Sequence, residues 1–332
     1  MKYIRSVFER HPFARYAGLI LFAVALVMIP NIGLNDYIML MFNLTFIYAI
    51  VLFGLDFITG IVGQVNAGMD GIVAMGAYTY ALLAVRLHIS PWICVLASIV
   101  MGLFLGVLIG IPSLKISGIY LVLTTLAFGQ LVRLLLVNLR GLTYGAPGVR
   151  TIPQFSLFGY TITTQNQYFY FLLAWVIVTG LISSIIIKSK WGRVFKALKE
   201  NEMAVATCGV NVSTIKIMAF MLCTVFGCIA GSLYAACMKY IAPENFTVDM
   251  SMRFLMILVV GGVSSVPGKI VGALLITVLP QVLKFSGDSY WLFFCLIVLV
   301  FAIKIPGGIM SLVSKHEDRI ERLDSTYKLK SR

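Results

Sequence analysis

The sequence predicts an all-α fold: a polytopic transmembrane helical bundle of about ten membrane segments, with both termini in the cytoplasm. Three observations lead there. Of the 332 residues, 60% are apolar and only 12% are charged, whereas an average soluble domain carries about a quarter charged residues and needs them to cover its surface. Mean hydropathy is +0.97, and uncharged stretches of membrane-spanning length recur along the whole chain. The basic residues fall mostly on one side of those stretches. The same composition excludes a disordered, collagen-like or disulfide-rich secreted chain.

The uncharged stretches lie at 16–35, 37–55, 71–85, 87–114, 116–132, the end of 151–187, 217–238, 254–268, 270–283 and 289–303. Within the first, the apolar run Ala17 to Ile29 ends in Pro30-Asn31 without a small-residue cleavage site and further apolar runs follow, so it reads as a retained helix and not a signal peptide. The eighth and ninth are about 15 residues each, short of the roughly 20 a bilayer needs. Ser264-Ser265-Val266-Pro267-Gly268 lies between them, which fits either two short spans or a helical hairpin. Residues 1–15 form an amphipathic cytoplasmic N-terminus, 16–312 the membrane domain and 313–332 a basic cytoplasmic tail.

Net charge is +13, from 26 Lys and Arg against 13 Asp and Glu. In a soluble protein this excess would suggest nucleic acid; here it sets orientation. If every stretch crosses, 19 of the 26 cations, Lys269 among them, share the side of the termini. The other side receives Arg86, Arg133, Arg140, Arg150, Lys239, Arg253 and Lys284. Cytoplasmic loops carry the basic excess, so the termini are cytoplasmic. A hairpin in place of the eighth and ninth spans leaves that parity unchanged.

Catalytic chemistry is missing. The six cysteines show no metal-ligand spacing, and five sit in apolar stretches where Cys acts as a small hydrophobe. His11, His88 and His316 are isolated. The sequence around Pro267-Gly268-Lys269 is not a phosphate loop, because Val263 stands where its first Gly belongs and Ile270 cannot supply the hydroxyl for magnesium. The chain therefore reads as neither an enzyme nor a cofactor or metal binder.

Candidate functional residues fall in three places. Asp56 and Asp70 flank a glycine-rich run containing Gly60, Gly63, Gly68, Gly71 and Gly76. Such a run allows either close helix packing or a helix break that turns backbone polar groups toward a cavity. Both carboxylates read as solvated at the cytoplasmic interface or, in an ion-coupled secondary transporter, as coupling groups. Gln64, Asn66 and Asp70, with Tyr120, Thr124 and Thr125 further on, are pathway candidates, although the threonine hydroxyls can also bond their own helix. The outer loop at 138–167 carries the turn residues Thr143, Gly145, Pro147 and Gly148, and Glu244 and Asp249 are outer charges suited to a soluble partner. The inner loop at 188–214 is the longest hydrophilic segment between spans. Its 191–202 stretch is a basic amphipathic helix leading into an Ala-rich run that Gly209 can end; its simplest use would be adhesion to anionic lipid.

Gly63-Gln64-Val65-Asn66-Ala67-Gly68 through Met75-Gly76-Ala77-Tyr78 resembles a glycine-rich signature of permease subunits in branched-chain amino acid ABC importers. So do Leu114 to Leu121 with Thr125 to Gly129, Ala230-Gly231-Ser232-Leu233-Tyr234-Ala235, Ile241 to Phe246 and Pro306-Gly307-Gly308, in order over roughly residues 35–312. The M-type subunit is the nearest match. The resemblance implies a multi-pass permease of the bacterial inner membrane, working with a second related permease, two ATPase subunits that hold ATP and magnesium, and an external substrate-binding protein. It further implies that Gly192, Arg193, Ala197, Leu198, Lys199, Glu200, Glu202, Ala206 and Gly209 belong to a helix that couples to the ATPase. Thr143, Gly145, Pro147, Gly148, Glu244 and Asp249 would face the binding protein. The family often has neutral residues where Asp56 and Asp70 stand, and urea, amide and other amino acid importers use closely similar permeases.

Overall fold

The computed structural model describes residues 35–157 and 160–283, with positions 30, 296 and 299 isolated from these segments. The expected tenth span, the first span up to residue 34 and both terminal regions lie outside the continuous segments.

The first helix, α1 (Asp36–Leu55), is uncharged after Asp36, whose carboxylate sits in the first turn where the helix dipole favours it. It runs straight into a π-helical turn, Asp56–Val62, which ends at Gly63 with φ +83°. Residues 63–68 have no regular structure, and α2 (Met69–Arg86) follows. Next come α3 (Pro91–Ser113), with its proline in the first turn where no N–H is needed, α4 (Ile119–Asn138) and the short α5 (Arg140–Thr143). The outer loop holds a two-stranded antiparallel hairpin, β1 (Ser156–Leu157) and β2 (Tyr160–Thr161), and Thr164 with Gln167 forms a capping box at the start of α6 (Gln165–Lys188).

The inner loop is α7 (Lys190–Glu200) and α8 (Glu202–Thr207), followed by α9 (Val212–Met238). A 3-10 turn at Pro243–Asn245 precedes α10 (Val248–Gly261) and α11 (Val266–Leu283). Among the described residues, five helical stretches are long and apolar enough to cross a membrane: Asp36–Val62, Pro91–Ser113, Ile119–Asn138, Gln165–Lys188 and Val212–Met238.

The bundle is built around α9, which packs on α1, α2 and α3, while α6 lies on α1. Lipid gives apolar helices no hydrophobic reason to associate, so close backbone approach must supply the contact. Gly76 of α2 lies directly against the backbone of Cys228, and Gly231 of α9 against Val73 and Ala77 of α2. α10 and α11 pack as a hairpin that turns at residues 262–265, so close that a Cβ on Gly272 would stand only 2.9 Å from the Cα of Gly261. The seventh span begins earlier than the uncharged stretch indicates, because Lys216 is buried inside α9 and pairs with Glu202 at 2.6 Å. Likewise α4 continues through Arg133 to Asn138.

Candidate functional site

The break between α1 and α2 gathers Asp56, Asn66, Asp70, Thr125, Ser251 and Lys269, all buried, at one place in the bundle. Asp56 and Lys269 are both fully buried, and the Lys269 Nζ lies 2.5 Å from Asp56 Oδ2. The carboxylate also accepts from the backbone N–H of Ser264 at 3.2 Å, and Lys269 sits over the Phe53 ring at 5.5 Å. This corrects two expectations. Asp56 is not a solvated interfacial charge, and Lys269 is not a loop cation. Lys269 falls in the first turn of α11, facing α1, and only mutual pairing with added hydrogen bonds lets two opposite charges leave water together. Gly60 makes room for the arrangement, since the Asp56 carboxylate occupies the space its Cβ would take.

Asp70 is buried too, against the expectation of a solvated charge. Its backbone N–H donates to Ser251 Oγ at 2.7 Å, and that hydroxyl donates to Asp70 Oδ1 at 2.9 Å, linking α2 to α10. Side chains satisfy the backbone freed by the break: the Asn66 N–H donates to Thr59 Oγ1 at 3.1 Å, Ala67 N–H to Thr125 Oγ1 at 3.1 Å, and Gly68 N–H to Asn66 Oδ1 at 3.0 Å. Irregular backbone inside a membrane protein persists only with such partners or beside a cavity. The half-buried Gln64 keeps a buried Oε1 with no hydrogen-bond partner among the described residues.

Gln64, Asn66, Asp70 and Thr125 therefore come together. Tyr120 and Thr124 do not join them: Tyr120 is 70% exposed, and Thr124 is exposed with its hydroxyl donating to its own helix at Tyr120 O, 2.8 Å away. Thr59, Ser251 and Lys269 were not singled out from the sequence. Lys269 had a signal, being one cation between two apolar stretches, with Asp56 as the matching lone carboxylate.

The inner loop rests on the same break. Ser189 caps α7, its Oγ accepting from the Trp191 N–H at 3.2 Å. Gly192, Phe195 and Leu198 face inward, with the fully buried Phe195 ring 6.5 Å from Phe57 of the π-helical turn. Lys199 Nζ donates to the Gly60 carbonyl at 2.9 Å. Arg193, Lys196, Glu200, Glu202 and Ala206 are exposed, Ala197 half-buried. The stretch anticipated as one helix is two, because Asn201 leaves helical geometry and caps α8 through its Oδ1 to the Ala204 N–H at 3.1 Å. Gly209, at φ +79°, terminates the segment as expected.

In the loop after α4, Gly145 and Gly148 take positive φ, and the Thr143 hydroxyl donates to the Leu136 carbonyl at 2.6 Å. Val149 pairs with Ile241 at 2.8 and 3.0 Å, stitching this loop to the one after α9, and the Pro147 carbonyl accepts from the Tyr240 hydroxyl at 3.1 Å. A cleft of about 390 Å³ beside them is lined by Arg150, Thr151, Lys239 and Tyr240. Glu244 and Asp249 are exposed.

Nothing in these three regions forms a nucleophile with its base. The family model for the permease component of branched-chain amino acid transport systems matches residues 37–303. The chain is 30% identical over 293 residues to the high-affinity branched-chain amino acid permease LivM of Escherichia coli, covering 81% of this chain and 69% of that protein. A probable LivM of Methanocaldococcus jannaschii is 26% identical over 283 residues, covering 77% and 76%. A tyrosine transport permease of Clostridioides difficile is 28% identical over 166 residues, covering 50% and 53%. No solved structure matches. With its discontinuous helix and amphipathic inner loop embedded in a match of this extent, the chain belongs to the family of ABC-transporter permeases that serve branched-chain amino acid transport.

Proposed function

We propose that this chain forms half of the translocation pathway of an ABC importer for branched-chain amino acids, paired with a second related permease. It is driven by two separate ATPase subunits through its inner loop and supplied by an extracytoplasmic binding protein. The observation that carries this reading is α7: a basic amphipathic helix whose apolar side is spent on the bundle and whose Arg193, Lys196 and Glu200 remain exposed, in a chain whose sequence has no phosphate loop. With the termini cytoplasmic, that exposed side faces the compartment where ATP is hydrolysed.

Gly192, Leu198 and Ala197 seat the helix, while Arg193, Glu200, Glu202 and Ala206 offer the ATPase its contacts, and Gly209 ends the segment. Gln64, Asn66, Asp70 and Thr125 border the pathway at the helix break. The stitched outer loops, with Thr143 to Gly148, Glu244 and Asp249, receive the binding protein, whose own pocket supplies most of the selectivity.

In proteoliposomes holding both permeases and the ATPases, the loaded binding protein stimulates hydrolysis and uptake together. Deleting residues 193–202, or Glu200→Lys, separates hydrolysis from uptake; full uptake by the deletion variant would refute the docking role. The chain alone transports nothing. Uptake by the purified chain under a proton or sodium gradient, lost in Asp70→Asn, would instead establish a secondary transporter.

A further inference from the structure

We propose that the π-helical turn Asp56–Val62 is the transmission element of this permease, carrying movement of α7 to the α10 and α11 hairpin through Phe57, Gly60 and Asp56. The inference rests on the importer reading above. The turn touches α7 at two points: the Phe57 ring faces Phe195, and the Gly60 carbonyl accepts from Lys199. A π-helical turn spreads its ladder to i→i+5 bonds, and here the Gly60 carbonyl takes a side-chain donor from the inner loop. Gly63 is held at φ +83°, and a Cβ there would stand 3.1 Å from the Lys199 Cγ, in tight contact with its stem.

At its other end the turn is fastened to the hairpin. Asp56 binds both Lys269 in α11 and the N–H of Ser264 in the connecting residues. The hairpin in turn reaches the far side of the break, where Ser251 of α10 holds Asp70. The hairpin is thus bonded on both flanks of residues 63–68, and within them stands Gln64, whose buried side-chain oxygen has no hydrogen-bond partner among the described residues. Those irregular residues do not brace the turn as a continuing helix would. A push on α7 can then shift the turn and hairpin together and change the spacing across the break. Asp56, Lys269 and Lys199 are positioning residues in this scheme.

The test uses the complete importer in proteoliposomes, reading substrate imported per ATP hydrolysed. Removing both charges of the buried pair at once, Asp56→Asn with Lys269→Met, lowers that ratio about tenfold, the size of a typical coupling term. Lys199→Met, at an exposed position, lowers it less, and Lys199→Arg restores it. An unchanged ratio in the double variant overturns the proposal. A second measurement needs neither variant: spin labels on the native exposed Cys208 and on Val263→Cys stay within about 2 Å of their resting separation when ATP binds. A change of about 5 Å, one helical turn of slippage, overturns it. If the unaltered complex shows no stimulated hydrolysis, the importer reading itself fails; if it couples normally and the double variant does too, only the transmission role fails.

Discussion

Asp56→Asn lowers the thermal stability of the detergent-solubilised chain sharply, by about 3–5 kcal/mol, the cost of leaving one member of a buried ion pair charged and alone. Lys269 is the residue left behind, fully buried, with the Phe53 ring 5.5 Å away. Replacing both partners, Asp56→Asn with Lys269→Met, recovers most of the loss, because the desolvation of two ions disappears along with their attraction. A melting curve of each variant decides the matter. Equal losses in the single and double variants would show that the pair matters for its shape and not its charge.

Gly231→Val has the next largest effect. A Cβ at this position meets the Val73 carbonyl and lies 2.8 Å from the Ala77 nitrogen, so both neighbours are backbone of α2 and cannot rotate away. The two helices must separate, and forcing extra carbons into such a contact costs about 1–3 kcal/mol or more. The expected result is a lower melting temperature and poor recovery of folded protein. Gly141→Ala is the control: nothing lies within 4 Å of a Cβ there, and the change stays within about 0.5 kcal/mol. A comparable loss in both variants would refute the close-packing argument for α2 and α9.

Much of the architecture is legible because lipid imposes a simple rule on composition. Uncharged runs such as 37–55 and 87–114 have one stable fate in a bilayer, and α1 and α3 occupy them almost residue for residue. Gly209 and Gly145 take the left-handed conformations their positions in turns suggest. The amphipathic character of α7 is equally local: Phe195 and Leu198 are three apart, on the side that packs. What misled was the treatment of charge as a marker of solvent. Lys216, Asp56, Asp70 and Lys269 all lie within or beside apolar runs; Glu202, in the preceding loop, meets Lys216, and partners far away in sequence meet the other three.

The sequence by itself determined that this is a multi-pass helical membrane protein with an amphipathic basic inner loop, and its motif order pointed to its family. Periodicity, length and charge bias are properties of neighbouring residues, and the bilayer acts on them directly. Only the tertiary structure decided that Asp56 pairs with Lys269 across more than two hundred positions and that Asp70 meets Ser251. It alone showed that α7 lies on the π-helical turn. The physical reason is that a buried charge is tolerated only by a partner within a few ångströms, and the approach of α1 to α11 is set by how the helices pack, not by anything local to either one.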